Sequence, residues 1–73
     1  MDDEREGTQY VVVVAGTLTD AVRRATEARG LTVTEERGRL VLRGRFTGLV
    51  ALNDLLFALD DLGLTLLSVR QSA

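Results

Sequence analysis

The chain contains no His, the side chain that most often acts as a catalytic base, and no Cys, a common nucleophile. Its carboxylates include two adjacent pairs, Glu35-Glu36 and Asp60-Asp61. Neighbouring residues point in different directions along a strand or a helix, so neither pair forms a paired-carboxylate site. The carboxylates also lack the spacing of a calcium-binding loop. The sequence therefore predicts no enzyme, no metal site and no cofactor.

The nine basic residues are all arginines, and three of them, Arg39, Arg43 and Arg45, alternate along one predicted strand. Side chains two positions apart share a face of a strand, so these arginines lie on one side with Val41. Such a face could bind an anion or a nucleic acid if a ring such as Tyr10 stacked on the bases. The net charge of -2 and the nearby carboxylates instead favour a solvated or subunit-contacting surface, and we expect no nucleic-acid partner.

Composition limits the chain to one small core. With 73 residues and 45% hydrophobic content, it is long enough for one domain and too short for two. Such a core supplies only roughly 3 to 5 kcal/mol, and without Cys or His neither a disulfide nor a metal supplements it. Self-association is the remaining means of stabilisation. The charged start of the chain and the absence of an 18-residue apolar run predict a cytoplasmic protein that does not enter a membrane.

Hydrophobic periodicity and turn residues divide the chain into a tail and six elements. In chain order these are a charged, disordered tail at 1–7, a strand at 10–15, a helix from Thr17 or Thr19 to Gly30, strands at 31–35 and 39–46, a helix from Thr47 or Gly48 to Gly63, and a strand at 64–70. The β-branched first strand is typical of a central position, whereas strict alternation at 31–35 indicates an edge strand. Arg37-Gly38 supplies a tight hairpin turn.

The order β-α-β-β-α-β contains a repeat. Gly30-Leu31-Thr32-Val33 and Gly63-Leu64-Thr65-Leu66 occupy matching positions after the two helices, 33 residues apart. Two interleaved β-α-β units give a four-stranded antiparallel sheet with both helices on one face. The right-handed crossover rule then sets the strand order 4-1-3-2. We therefore predict an α+β, ferredoxin-like sandwich formed by one domain at residues 8–71.

The sheet face without helices is the main candidate surface. Parity places Thr32, Thr34 and Glu36 of the second strand beside the arginines of the third. Strands one and four are apolar on both sides, so they also point apolar residues outward. The predicted interface residues are Tyr10, Arg39, Val41, Arg43, Arg45, Leu67 and Val69.

The second helix carries a broad apolar stripe. Its members are Leu49, Leu52, Leu55, Leu56, Leu59 and Leu62. Val50 and Phe57 flank the stripe, seven residues apart and on nearly one side of the helix. Two interpretations stay open for this pair: an exposed contact surface, or side chains that close the groove between the two helices.

The turn after the first strand brings backbone amides to a helix N-terminus, which attracts anions, although no Gly-rich phosphate loop is present. Gly16-Thr17-Leu18 in this turn and the later Gly30-Leu31-Thr32-Val33 give the chain a loose resemblance to an ACT-type regulatory domain over residues 10–70. The resemblance implies sensing of an amino acid or another small ligand at a subunit interface, with Gly16, Thr17, Leu18 and Gly30 closest to the ligand. It also implies action in trans, because the chain has no second domain to regulate.

Three functional hypotheses follow from these residues. The leading one is a non-enzymatic interaction or regulatory module that forms a homo-oligomer, or binds a protein partner, through its open sheet face or an edge strand. The second is an ACT-like small-ligand sensor near Gly16. The third is anion or nucleic-acid binding through the arginines of the third strand.

Overall fold

The computed structural model describes residues 7–72, which form four strands and two helices. In chain order these are β1 (Thr8–Ala15), α1 (Asp20–Ala28), β2 (Thr32–Glu36), β3 (Arg39–Phe46), α2 (Leu49–Asp61) and β4 (Thr65–Gln71). The predicted β-α-β-β-α-β order is therefore confirmed. The charged tail predicted at residues 1–7 lies outside the described residues except for Gly7.

The four strands form one antiparallel sheet in the order β2-β3-β1-β4, which reads β4-β1-β3-β2 from the other edge. β1 lies in the interior of the sheet, in line with its unbroken β-branched sequence. β2 and β4 are the edges. The polar, alternating β2 pairs with β3 along its whole length, from Thr32 opposite Arg43 to Glu36 opposite Arg39.

Both helices cover the same face of the sheet. Val12 pairs with Leu42, and Val14 pairs with Leu40; these four side chains are almost fully buried. They belong to one core cluster that also contains Val22 of α1, Leu52, Leu55 and Leu59 of α2, and Leu31, Phe46 and Leu64. Because alternate residues of β1 and β3 enter this cluster, the residues between them point to the opposite face.

The two halves of the chain end their helices in the same way. Gly30 and Gly63 each have a positive φ, 72° and 84°. The amide of the residue after each glycine donates to the carbonyl five residues back, at 3.0 Å for Leu31 and 3.1 Å for Leu64. This is the Schellman ending, in which the residue after the glycine also makes an apolar contact. Both leucines are buried, so the 33-residue repeat has a structural counterpart.

Local sequence also sets the start of α1 and the β2–β3 hairpin. Thr19, rather than Thr17, caps α1, and its Oγ1 accepts a hydrogen bond from the backbone N–H of Val22 at 3.2 Å. The hairpin turn consists of Arg37 and Gly38, with φ values of 52° and 78°. Two consecutive positive φ values are typical of tight turns that match the twist of a two-stranded ribbon. The predicted hairpin is therefore confirmed.

The buried apolar stripe of α2 is shorter than the sequence predicts. Leu52, Leu55 and Leu59 are buried, but Leu49 is 68% exposed and Leu62 lies at the surface. Leu49 is the first residue of α2 and Leu62 follows its last, so both lie at helix ends beyond the core. Within residues 7–72, neither helix has the length and hydrophobicity that crossing a membrane requires.

Candidate functional site

The sheet face opposite the helices is built from aligned rows of residues that cross the strands; we call it the open face. Each row is set by the antiparallel register. From one end of the sheet to the other, the rows are Arg45 and Gln9; Thr32, Arg43, Val11 and Arg70; Thr34, Val41, Val13 and Ser68; and Glu36, Arg39, Ala15 and Thr65. The three β2 residues in these rows are the ones that the sequence predicts for this face.

Apolar side chains occupy the centre of the open face. Val11, Val13 and Val41 are half-buried there. The register between β1 and β4 shifts after Val13, which makes Leu67 an extra residue of β4, a β-bulge. Leu66, opposite Val14, lies on the helix side and lines a groove there, whereas Ser68, opposite Val13, lies on the open face, so the alternation of β4 is interrupted at Leu67. Leu67 is 48% exposed at this edge of the sheet.

Arginines surround this apolar centre. Arg39, Arg43, Arg45 and Arg70 are all exposed. Glu36, opposite Arg39, is the one carboxylate among the paired positions of the described open face. Arg43, Arg45 and Arg70 lie at the end of the sheet remote from Glu36. The open face is therefore positively charged, although the chain as a whole has a net charge of -2.

Two of the predicted interface residues lie on the helix side of the sheet, so their placement on the open face is wrong. Tyr10 packs against the core, with its ring centroid 5.9 Å from that of Phe46 in edge-to-face geometry. Val69 pairs with Val12 and also packs against the core, because the bulge at Leu67 reverses the alternation of β4. Among the paired positions of the described open face, none is aromatic, so this face offers no ring on which a base could stack.

The residues predicted to lie closest to a small ligand are at opposite ends of α1. Gly16, Thr17 and Leu18 precede the helix and Gly30 follows it, so a 9-residue helix, roughly 14 Å long, separates them. Leu18 packs against the core, and any side chain at position 16 would collide with Leu64. Four surface cavities of the described residues are lined by other residues and include none of these four. Packing within the domain therefore accounts for the residue types at positions 16 and 18, Gly16 and Leu18.

Val50 and Phe57 lie on the side of α2 that faces away from the core. They are 84% and 72% exposed, which agrees with the contact-surface interpretation and excludes closure of the groove between the helices. Phe57 instead borders a different groove of about 260 Å³, between α2 and β4, together with Leu56 and Leu66. We call Val50, Phe57 and the three aspartates of this helix, Asp54, Asp60 and Asp61, the outer surface of α2.

The carboxylates of residues 7–72 form no group of three or more. Glu35 and Glu36 pair with residues on opposite faces of the sheet. Asp54 of α2 pairs with the C-cap residue of α1, since Nη2 of Arg29 donates to its Oδ2 at 3.1 Å. Within the described part of the chain, no three His, Cys, Asp or Glu residues lie close enough together to hold a metal ion.

One known family matches this chain. A family model described as Domain of unknown function (DUF8691) matches residues 9–70. The chain belongs to this family. The DUF8691 match begins in β1 and ends in β4, so it includes both helices and every row of the open face. No curated protein and no solved structure matches the chain.

Proposed function

We propose that this DUF8691 domain is a non-enzymatic interaction module that binds a second copy of itself through the open face. The observation that carries the proposal is the apolar centre of Val11, Val13 and Val41, framed by arginines. An uncharged centre with a polar rim is typical of protein interfaces. Covering this centre would also add buried apolar area to a domain whose own core is small.

The fold proposed for the domain is a ferredoxin-like sandwich. The order of the elements, the antiparallel strand order and the burial of both helices in one core cluster support it. A two-layer sandwich of this kind covers only one face of its sheet with helices. The second face is therefore available to another protein.

The size of the domain is compatible with a specific interface. A standard interface buries about 800 Å² on each partner, roughly a sixth of the 4904 Å² accessible surface of this chain. The strands are about 4.8 Å apart, so the axes of the two edge strands lie roughly 14 Å from each other, and the longest strands extend about 25 Å. The open face therefore provides a substantial share of the area required.

Pairing through an edge strand receives less support than contact through the open face. β2 carries Glu35 and Glu36, and charged residues on an edge strand oppose the addition of another strand. β4 contains the bulge at Leu67, which interrupts the regular hydrogen-bonding pattern of that edge. Both edges thus carry features with which natural sheets prevent edge-to-edge association.

Nucleic-acid binding also receives less support. Platforms for single strands stack bases on aromatic rings, whereas the open face presents valines between its arginines. Glu36 opposite Arg39 would further repel a phosphate backbone. Flat fluorescence anisotropy of a labelled oligonucleotide at low salt is the expected result, and a steeply salt-dependent rise would favour this function instead.

Multi-angle light scattering over a concentration series tests the proposed function. The wild-type domain should show an average mass above the 8.0 kDa of one chain, increasing with concentration. Val41→Glu should stay at the mass of one chain, because association would bury its carboxylate. In the free domain that carboxylate can pair with Arg39 and Arg43, which flank position 41 on the same face, so the fold should persist by circular dichroism. A wild-type domain that stays at 8.0 kDa at high concentration would contradict the proposal.

A further inference from the structure

We infer that the surface which binds the open face is the outer surface of α2 of a second copy, so that copies join head to tail. This inference rests on the proposed self-association and specifies which two surfaces meet. Val50 and Phe57 have the highest exposure of the large apolar side chains among the described residues. Two such side chains on one side of a helix mark a contact surface that the monomer leaves uncovered.

The apolar parts of the two surfaces match in length and width. Val50 and Phe57 are seven residues apart, about 10 Å along the helix axis. The open-face residues of β1 extend from Val11 to Ala15, about 13 Å along the strand. A helix with its side chains is about 10 to 12 Å wide, less than the roughly 14 Å between the outer strands. One α2 helix therefore covers the apolar centre of the open face.

The charges of the two surfaces are opposite. α2 contains no basic residue and three aspartates, of which Asp54 already pairs with Arg29, whereas the open face has Arg39, Arg43 and Arg70 with one glutamate, Glu36. Asp60 and Asp61 lie in the last turn of α2, where the negative end of the helix dipole disfavours carboxylates. A cationic surface at this end would offset that repulsion. Arg43 and Arg70 provide such a surface at one end of the open face.

The apolar and charged patterns together specify one orientation. With Asp61 over the arginine-rich end, Phe57 and Val50 extend along β1 towards Ala15, and α2 runs antiparallel to β1. Val50 and Asp61 are about 16 Å apart along the helix axis. The rows of the open face span about 20 Å along the strands. The apolar contacts of Val50 and Phe57 and the charged contacts of Asp61 can therefore form in the same complex.

This arrangement determines how assembly proceeds. α2 and the open face lie on opposite sides of the sheet, so one copy can bind a neighbour on each side. An interface between two unlike surfaces is heterologous, and it generates an open chain or a ring instead of a closed pair. The average mass should therefore continue to rise beyond that of two chains as the concentration increases.

Light scattering of two variants and of their mixture tests the inference. Phe57→Glu changes the outer surface of α2 and leaves the open face intact, whereas Val41→Glu does the reverse. Each variant alone should remain near 8.0 kDa, with its dissociation constant raised at least about 30-fold, as for a central interface residue. An equimolar mixture should form a complex of two chains, because the open face of one variant and the helix of the other are both intact. Leu49→Glu is the matched control: it is also exposed on α2 but lies outside the outer surface, and it should assemble like the wild type.

The outcomes separate this inference from the proposed function. If the wild type assembles and Phe57→Glu assembles equally well, the open face binds some other surface, and only the head-to-tail inference is overturned. If each variant is monomeric and their mixture also remains monomeric, the head-to-tail inference is again overturned. A wild-type domain that stays monomeric throughout overturns both.

Discussion

Leu55→Ala and Phe57→Ala alter neighbouring positions of α2 and should have very different effects on the free energy of unfolding. Leu55 has 0% exposure in the centre of the core. Truncation of a buried leucine costs about 2 to 5 kcal/mol, because apolar contacts are lost and a cavity remains. A core of this size supplies roughly 3 to 5 kcal/mol in total. Leu55→Ala should therefore leave the dilute domain largely unfolded.

Phe57 is 72% exposed, so only about a quarter of its surface is buried in one copy. Full burial of a phenylalanine stabilises by about 1.5 to 3 kcal/mol, which gives about 0.4 to 0.8 kcal/mol for the buried share. The higher helix propensity of alanine offsets about 0.5 kcal/mol of this loss. Phe57→Ala should leave the free energy of unfolding of the dilute domain unchanged within about 0.5 kcal/mol.

Urea denaturation followed by circular dichroism at low and at high protein concentration measures both effects. In dilute solution, Phe57→Ala should match the wild-type midpoint and Leu55→Ala should not. At high concentration, the wild-type midpoint should rise, because association stabilises the folded state by mass action. The midpoint of Phe57→Ala should stay constant. A dilute Phe57→Ala variant that loses as much stability as Leu55→Ala would refute the surface position of Phe57.

Three local features give further predictions, each measured as the free energy of unfolding in dilute solution. Thr19→Ala should cost about 1 kcal/mol through loss of the α1 cap, while Thr17→Ala should cost much less; equal effects would contradict the cap assignment. Gly44→Val should cost about 1 to 3 kcal/mol, because a Cβ at position 44 collides with the Leu31 side chain, and a neutral result would show that Leu31 repacks freely. Arg37→Asn should stabilise by up to about 1 kcal/mol, because asparagine tolerates the positive φ of the hairpin turn; destabilisation would contradict the assigned turn geometry.

The fold follows from local signals that agree with one another. Gly30 and Gly63 end the two helices where the sequence predicts, since each is followed by a leucine that returns the chain to the core. The alternation of β2 and β3 also identifies the open-face residues correctly. Where one side of a strand is polar and the other apolar, the period of two leaves no ambiguity about which side is buried.

The wrong predictions concern strands that do not have one polar and one apolar side. Every residue from Tyr10 to Ala15 is apolar, so the pattern does not show which alternate residues face the helices. The bulge at Leu67 inserts a residue without any sequence signal, and it moves Val69 to the helix side. For Phe57 the sequence leaves two interpretations open, because its exposure depends on how α2 is rotated about its axis and the leucine stripe determines that rotation only approximately.

Sedimentation equilibrium of the wild-type domain over a wide concentration range is the most direct test of self-association through oppositely charged surfaces. The average mass should exceed the 8.0 kDa of one chain, increase with protein concentration and decrease when salt is added, because salt screens the contacts between arginines and aspartates. A mass of 8.0 kDa at every protein and salt concentration would contradict the account.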